Sequence, residues 1–342
     1  MPSKKTWFKR QKIMEKVVIA LIPALLGAVY FFGWRSLLVV GWCVVLGVGA
    51  EYWMASRRGD PATGSVIVTA MLYGLSLPAT VPLWIAGVGI VFAIVFGKEV
   101  FGGFGRNIFN PAIVGRTFVY ISFPLELTGK FPPVWRGGLA GFLHWGPRES
   151  IDGVNAITAA TPMWFRRDIG FADSAIPYGE QLRQLFLGDI GGVYQGADGL
   201  SHVMAAGSMG EVSAVLVLIG GIYLLVTKTA NWRLVLGSLL GAVVATLLFR
   251  YGLGADKVPP LLWTLSSGAL LYACFFMVTD PVSAPKDKTT QHIYAFFIGF
   301  MVVFLRWKAI FVGGVSFAIL LGNTVGPSIE MLIKWRKQAK KT

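Results

Sequence analysis

Ten apolar runs, separated by polar or glycine- and proline-bearing breaks, occupy roughly residues 15–33, 37–55, 65–79, 82–97, 111–124, 212–227, 234–250, 259–278, 291–307 and 311–333. A helix crossing about 30 Å of hydrocarbon needs roughly 20 consecutive apolar residues, and most of these runs approach that length. The pattern predicts an all-α polytopic integral membrane protein with about ten transmembrane helices. Two runs are short: the third ends in LSLPATVP and the fifth begins at NPA. Proline-bounded short helices at membrane depth need protein or a polar cavity over their loose backbone, a recurrent way to build a site inside the bilayer. The runs form two sets of five, 15–124 and 212–333, on either side of a polar, glycine- and proline-rich region, 125–211. An odd number of spans per set makes the sets enter from opposite sides, so 5+5 inverted repeats with some helices short or broken are expected. An N-terminal segment, 1–14, and a basic tail, 334–342, complete the plan.

Composition supports this reading. Only 14% of residues are charged and 55% are hydrophobic, against about 25% charged in soluble domains. The first run is long and no small-residue cleavage site followed by a soluble domain comes after it, so neither a cleavable signal peptide nor a mitochondrial-type leader is expected. Lysine and arginine set the orientation. With the N-terminus cytoplasmic, nineteen lie in inside segments and five (Arg35, Arg250, Lys257, Arg306 and Lys308) in short outside loops. Both termini are therefore expected in the cytoplasm, and region 125–211 outside. The net charge of +14 is spread between spans rather than along one face, which argues against nucleic acid. Cys43 and Cys274 lie far apart in apolar runs, and His144, His202 and His292 are scattered. No metal-ligand spacing results.

Charged groups near spans are costly and each needs a reason. Glu51, Glu99, Asp280 and Glu330 fall at expected cytoplasmic ends of spans, Glu99 within GKEVFGGFGRNIFNPA and Asp280 within MVTDPVSAP. Carboxylates beside exposed carbonyls suit a desolvating Na⁺ or H⁺, which makes Glu99, Asp280 and Glu330 candidates for an ion path. The competing reading leaves these acids in headgroup water or paired with Lys98, Arg106 or Lys334. Arg116 lies inside the fifth run and either snorkels or pairs with an acid or a phosphate. A single NPA, Asn110–Ala112, does not make an aquaporin, which needs two such motifs.

The remaining signal is DGVNAITAATPMW, residues 152–164, in the polar region. Pro162 suits the first position of a helix and Thr161 its N-cap. Free N–H groups at such a helix start suit a phosphate. Trp135, Trp145 and Trp164 nearby read as interfacial anchors or as stacking partners for a planar ligand.

GKEVFGGFGRNIFNPA, GSMGEVS at 207–213 and TDPVSA at 279–284 are long, unusual strings in a fixed order. Together they resemble the family that contains RnfD of the Rnf complex and NqrB of the sodium-translocating NADH:quinone reductase, over nearly the whole chain. The start directly before the first span is Rnf-like, whereas GKEVFGG with GRNIFNPA is nearer to NqrB. The resemblance implies a urea-transporter-like fold and a flavin-carrying subunit of a multi-subunit, redox-driven Na⁺- or H⁺-translocating oxidoreductase. It implies an FMN joined by a phosphodiester bond to the last threonine of an S/T-x-A-T motif, here Thr158, Ala159, Ala160 and Thr161, so Thr161 is the expected attachment residue. Asn155 stands where the flavin transferase motif carries an aspartate, and the nearest acid, Asp152, is three residues further back. Asn110 is a further candidate contact, and NqrB members also use a non-covalent riboflavin. The implied partners are membrane and flavoprotein subunits of the complex and a flavin transferase. The implied location is a bacterial inner membrane with the flavin loop on the periplasmic side. No acid–base or nucleophilic triad is expected. Two alternatives follow from the same sequence: a passive solute channel of urea-transporter-like fold, which needs no flavin, and a flavin-free scaffold subunit.

Overall fold

The computed structural model describes residues 7–147, 150–151, 154–155, 161–168, 177–191, 193–195, 201–309 and 313–339. Each of the ten apolar runs is helical. The first set comprises α1 (Lys12–Phe32), α2 (Arg35–Arg58), α3 (Ser65–Leu75), α4 (Leu83–Ile94) and α5 (Pro111–Ser122). A π-helical turn, Val95–Glu99, extends α4. Two short helices, α6 (Pro162–Asp168) and α7 (Tyr178–Leu187), lie in the middle region. The second set comprises α8 (Ala214–Val226), α9 (Trp232–Thr246), α10 (Leu261–Ser266) with α11 (Leu270–Tyr272), α12 (Lys288–Lys308) and α13 (Val315–Ala339). Strand is confined, among the described residues, to three two-stranded pieces. Five helices are long and apolar enough to cross a membrane: α1, α2, α9 with its π-helical extension to Gly252, α12 and α13. The chain is a multi-pass all-α membrane protein.

The packing repeats. In each set the second helix lies on the fourth and the fourth on the fifth, while the equivalent helices α1 and α8, and α5 and α13, pack on one another. Their directions oppose. Met14 at the start of α1 and Leu224 at the end of α8 line one cavity, and Tyr120 near the end of α5 lines another with Val315 at the start of α13. Two inverted halves facing each other across an axis give this arrangement, as the parity of the spans predicts. Small residues let the backbones touch, as in other membrane bundles. A Cβ on Gly299 of α12 would lie 1.8 Å from the Ser238 carbonyl of α9, and one on Gly220 of α8 would lie 2.0 Å from the Ala20 carbonyl of α1.

Two runs differ from the sequence reading. Run 65–79 stops as α3 at Leu75, because SLPATVP turns instead of continuing. Run 259–278 is broken at Ser267–Gly268, where Gly268 has φ +62°, a conformation that favours glycine. The chain resumes as α11 and then as a π-helical turn, Ala273–Met277.

The N-terminal strand Phe8–Lys9 pairs in parallel with Ala62–Thr63, which follows α2. This puts the start of α1 and the end of α2 on one face, here called the N-terminal face. Lys337 near the end of α13 bonds Asp287 at the start of α12. The middle region covers the opposite face. Trp135 N–H donates to Phe31 O, and Trp34 N–H donates to His144 O, at the turn between α1 and α2.

Candidate functional site

Two cavities open on opposite faces of the bundle, and α5 borders both. On the covered face a cavity of about 400 Å³ is lined by Thr161, Arg116, Tyr120, Ser208, Glu211 and Arg306, among others. Thr161 directly precedes α6, whose first residue is Pro162. The Trp164 N–H donates to Thr161 Oγ1 at 3.4 Å, the N-cap contact that the sequence predicts. Two further bonds moor this helix to the second half: Ser267 Oγ with Met163 Sδ at 3.1 Å, and Arg167 donating to Ala309 O at 2.8 Å. The threonine is thus held at the rim of the cavity by a short helix docked on α10 and α12.

Arg116 is buried, not snorkelling, and donates to Ser208 Oγ at 3.1 Å. GSMGE supplies a capping box: Glu211 Oε1 accepts from the Ser208 N–H at 2.8 Å, and the Ser208 side chain accepts from the backbone of Glu211. That motif is legible as Ser-x-x-Glu, yet its role as a cavity wall is not. Arg306 corrects the sequence reading more sharply. It is no loop residue but lies within α12, 4% exposed, donating to Thr264 O at 3.3 Å and Ser267 O at 3.2 Å. These carbonyls end α10, so the charge binds the partial negative end of a short helix. Arg306 Nε and Glu211 Oε2 are both buried without a hydrogen-bond partner among the described residues. Buried polar groups are nearly always satisfied, so a donor and an acceptor are left for a ligand.

Trp164 lines this cavity as well. Trp135 stacks on His144 with centroids 4.9 Å apart, and Trp145 is exposed. Thr158 and Ala160 lie outside the described residues. Asn155 is described only as backbone, in a short strand pairing with Ser150.

The second cavity, about 60 Å³, opens on the N-terminal face and is lined by Lys98, Asn107, Asn110, Thr279 and Asp280, among others. Asn110 therefore stands apart from Thr161. Its side chain caps α5, accepting from Ala112 N–H at 3.0 Å, and donates to Met277 O at 3.2 Å. Its own N–H donates to Asn323 Oδ1 at 3.1 Å. It fastens the first half to the second. Asp280 accepts from Ser283 Oγ at 2.8 Å and from Val282 N–H at 3.2 Å. Glu99 is buried and paired with Arg58, and Glu330 pairs with Lys334 at 3.1 Å. Glu51 does not sit in headgroup water. It is 1% exposed and bonds Lys98 Nζ at 2.6 Å. A third cavity, about 240 Å³, borders Glu51, Arg58, Glu99 and the glycine loop on this same face.

The model of the NQR2, RnfD, RnfE family matches residues 2–339. The B component of the Na(+)-translocating NADH-quinone reductase of Azotobacter vinelandii is 34% identical over 312 positions, covering 90% of this chain and 68% of the relative. The D component of the ion-translocating oxidoreductase complex of Shewanella amazonensis is 31% identical over 342 positions, covering 95% of this chain and 92% of the relative. The component of the same name from Marinobacter nauticus is 32% identical, with 93% and 88% covered. A match across the chain, with relatives aligned over most of their own length, shows that this chain belongs to the NQR2, RnfD, RnfE family.

Proposed function

We propose that the chain is the flavin-carrying membrane subunit of a multi-subunit, redox-driven, ion-translocating oxidoreductase, with FMN joined through its phosphate to Thr161. One observation carries the reading: the Thr161 hydroxyl stands on the wall of a cavity of about 400 Å³ that also holds two buried guanidinium groups, Arg116 and Arg306. That volume is within the range of about 300–1,000 Å³ usual for ligand clefts. A phosphodiester on Thr161 keeps one negative charge, and a charge enclosed among buried side chains needs a partner. The two arginines provide it. The unpaired Arg306 Nε and Glu211 Oε2 offer one donor and one acceptor, the complement of a ring edge that alternates carbonyl oxygens with an N–H. Thr161 Oγ1 only accepts in its bond from Trp164 N–H, so that contact survives replacement of the hydroxyl proton by phosphorus.

Bound there, FMN supplies one- and two-electron redox chemistry. The protein's own part is to position the phosphate end through α6, to balance its charge and to limit water. The relatives' names supply the setting: a complex with other subunits, translocating Na⁺ or another ion. On this reading the N-terminal face is cytoplasmic, the cavity of Thr161 is periplasmic, and the cation, Na⁺ or H⁺, enters near Asp280 and Glu99. The expected partners are flavoprotein and membrane subunits and a flavin transferase, with riboflavin a second, non-covalent cofactor.

The test is ultraviolet fluorescence of the denatured subunit in a gel, followed by mass spectrometry of the peptide holding Thr161. A fluorescent band with an FMN-sized adduct on Thr161 is expected, and Thr161→Val removes it without loss of the folded chain. A dark band from a host that contains the transferase would defeat the reading. Asn155→Asp is expected to raise the fraction of chains carrying flavin, and an unchanged fraction would show that the transferase does not need the carboxylate.

A further inference from the structure

The third cavity, about 240 Å³, lies where the N-terminal strand, the end of α2 and the turn after α4 meet on the N-terminal face. Exposed aromatic residues mark its depth. Trp7, Tyr52 and Trp53 are all exposed, and the Arg57 guanidinium lies 4.3 Å over the Trp53 ring. Tyrosine and tryptophan collect at the level of lipid headgroups. Phe96 and Val100, on and just after the π-helical turn, are 54% and 61% exposed, which leaves an apolar flank beside the cavity for acyl chains. The cavity wall itself is charged. Arg58 is shared between Glu99 and Asp60, and Glu51 is matched by Lys98. Lys9 and Arg106 also line the cavity, and neither has a partner among the described residues. Four cations against three carboxylates leave one positive charge over.

The glycine loop gathers two of these cations. A Cβ on Gly102 would lie 3.0 Å from Arg106 Nη1, and one on Gly103 would lie 3.0 Å from Arg58 Nη2. Both guanidinium groups therefore rest against consecutive residues that have no side chain, and like charges so placed call for an anion. The wall also holds a buried acceptor. Gln11 Oε1 has no donor among the described residues, although buried polar atoms nearly always have a partner. We propose that this cavity holds the headgroup of an anionic phospholipid, its phosphate between Lys9, Arg58 and Arg106 and a headgroup hydroxyl donating to Gln11 Oε1. A phosphodiester carries the single negative charge that the wall lacks, and the guanidinium fork matches its oxygens. Basic pockets between membrane helices take such headgroups. A glycerol headgroup supplies the hydroxyl. A lipid also covers Phe96 and Val100, which free phosphate would leave bare. Bound there, it ties the N-terminal strand to α2 and to the glycine loop.

The test is native mass spectrometry of the full chain, stripped of lipid in a neutral detergent and titrated with dioleoyl phosphatidylglycerol or dioleoyl phosphatidylcholine. The first phosphatidylglycerol is expected to bind about tenfold more tightly than phosphatidylcholine, which has no net charge and no hydroxyl. Lys9→Gln/Arg106→Gln is expected to weaken that first binding about tenfold, the loss of one charge-assisted hydrogen bond or more. Lys12→Gln/Arg57→Gln removes two cations of the same face that do not line the cavity, and should leave the binding within about twofold, since exposed charges are screened. Equal losses in the two double variants overturn the proposal, because they show a diffuse attraction to the basic face. Equal binding of the two lipids in the wild type overturns it as well. Soluble glycerol phosphate that displaces the lipid at equal concentration would assign the site to a free phosphate instead. Gln11→Leu should reduce the advantage of phosphatidylglycerol over phosphatidylmethanol, which has the same charge and no hydroxyl, and an unchanged advantage overturns the contact with Gln11.

Discussion

Gly268→Ala tests whether Arg306 is held as rigidly as its contacts indicate. Gly268 has φ +62° and Gly254 has φ +64°, so alanine at either position meets the same backbone penalty, about 1–2 kcal/mol. Their surroundings differ. A Cβ at Gly254 meets nothing within 4 Å, whereas one at Gly268 lies 2.9 Å from Arg306 Nη2 and 3.5 Å from Met163 Cγ. Arg306 has little room to yield, since its two terminal nitrogens are bonded to Thr264 O and Ser267 O and its side chain is buried. Moving Nη2 weakens the bond to Ser267 O, and hydrogen bonds to charged groups contribute about 1.5–3 kcal/mol. Gly268→Ala is therefore expected to cost roughly 2.5–5 kcal/mol and Gly254→Ala roughly 1–2 kcal/mol. The assay is reversible unfolding by SDS in mixed micelles, with the difference between the two variants as the reported quantity. Removing the arginine in the Gly268→Ala background should bring the combined loss below the sum of the two single losses, because the sites share a contact. Equal losses for the two glycines would refute the reasoning and show a mobile Arg306.

Asn110→Ala is expected to lose the cap of α5, about 1 kcal/mol, and the bond to Met277 O, about another 1 kcal/mol. The same assay should read roughly 2 kcal/mol, and a loss near zero would mean that the tie between the halves lies elsewhere. Asp287 is held down to about 2 by its hydrogen bond from Lys337 and then by the Thr290 N–H. A depressed carboxylate stabilises the fold above its unfolded pKa of about 3.9 and stops doing so as pH falls through the folded value. The thermal midpoints of the wild type and Asp287→Asn should therefore differ by a constant amount from about pH 8 to 5 and converge between about pH 4 and 2. A gap still open below pH 2 would contradict this.

The membrane architecture is legible because hydrophobic run length and parity are properties of the chain alone. Ten runs correspond to ten helical segments, and two sets of five to inverted halves. The π-helical turns at Val95–Glu99, Leu247–Gly252 and Ala273–Met277 are not legible, since they share the composition of the helices they extend. The acids show the limit most plainly. Sequence offers Lys98, Arg106 and Lys334 as possible partners of the acids without saying which takes which. The structure pairs Glu330 with Lys334 and Glu51 with Lys98, 47 residues away, the latter choice set by the rotation of α2 against α4. Arg306 reads as a loop charge because two aromatic residues and Lys308 surround the end of its run, whereas the observed helix continues through it. Thr161 is marked by its motif. The polar walls opposite it, Arg116, Ser208, Glu211 and Arg306, are drawn from α5, the start of the second half and α12, and no local pattern joins them.

The shortness of α5 also bears on how the protein meets a membrane potential. Asn110 lines one cavity and Arg116 the other, and six residues of helix rise only about 9 Å. With water in both cavities, the layer of low dielectric between them is about a third of the roughly 30 Å of hydrocarbon around it. Voltage falls mainly where the dielectric is low, so the field across this septum is about three times that in the surrounding lipid. A unit charge carried over those few residues performs nearly the whole electrical work of crossing, about 2.3 kcal/mol per 100 mV. Imposed voltage should therefore act on the step that moves charge past α5 and leave events within either cavity nearly untouched.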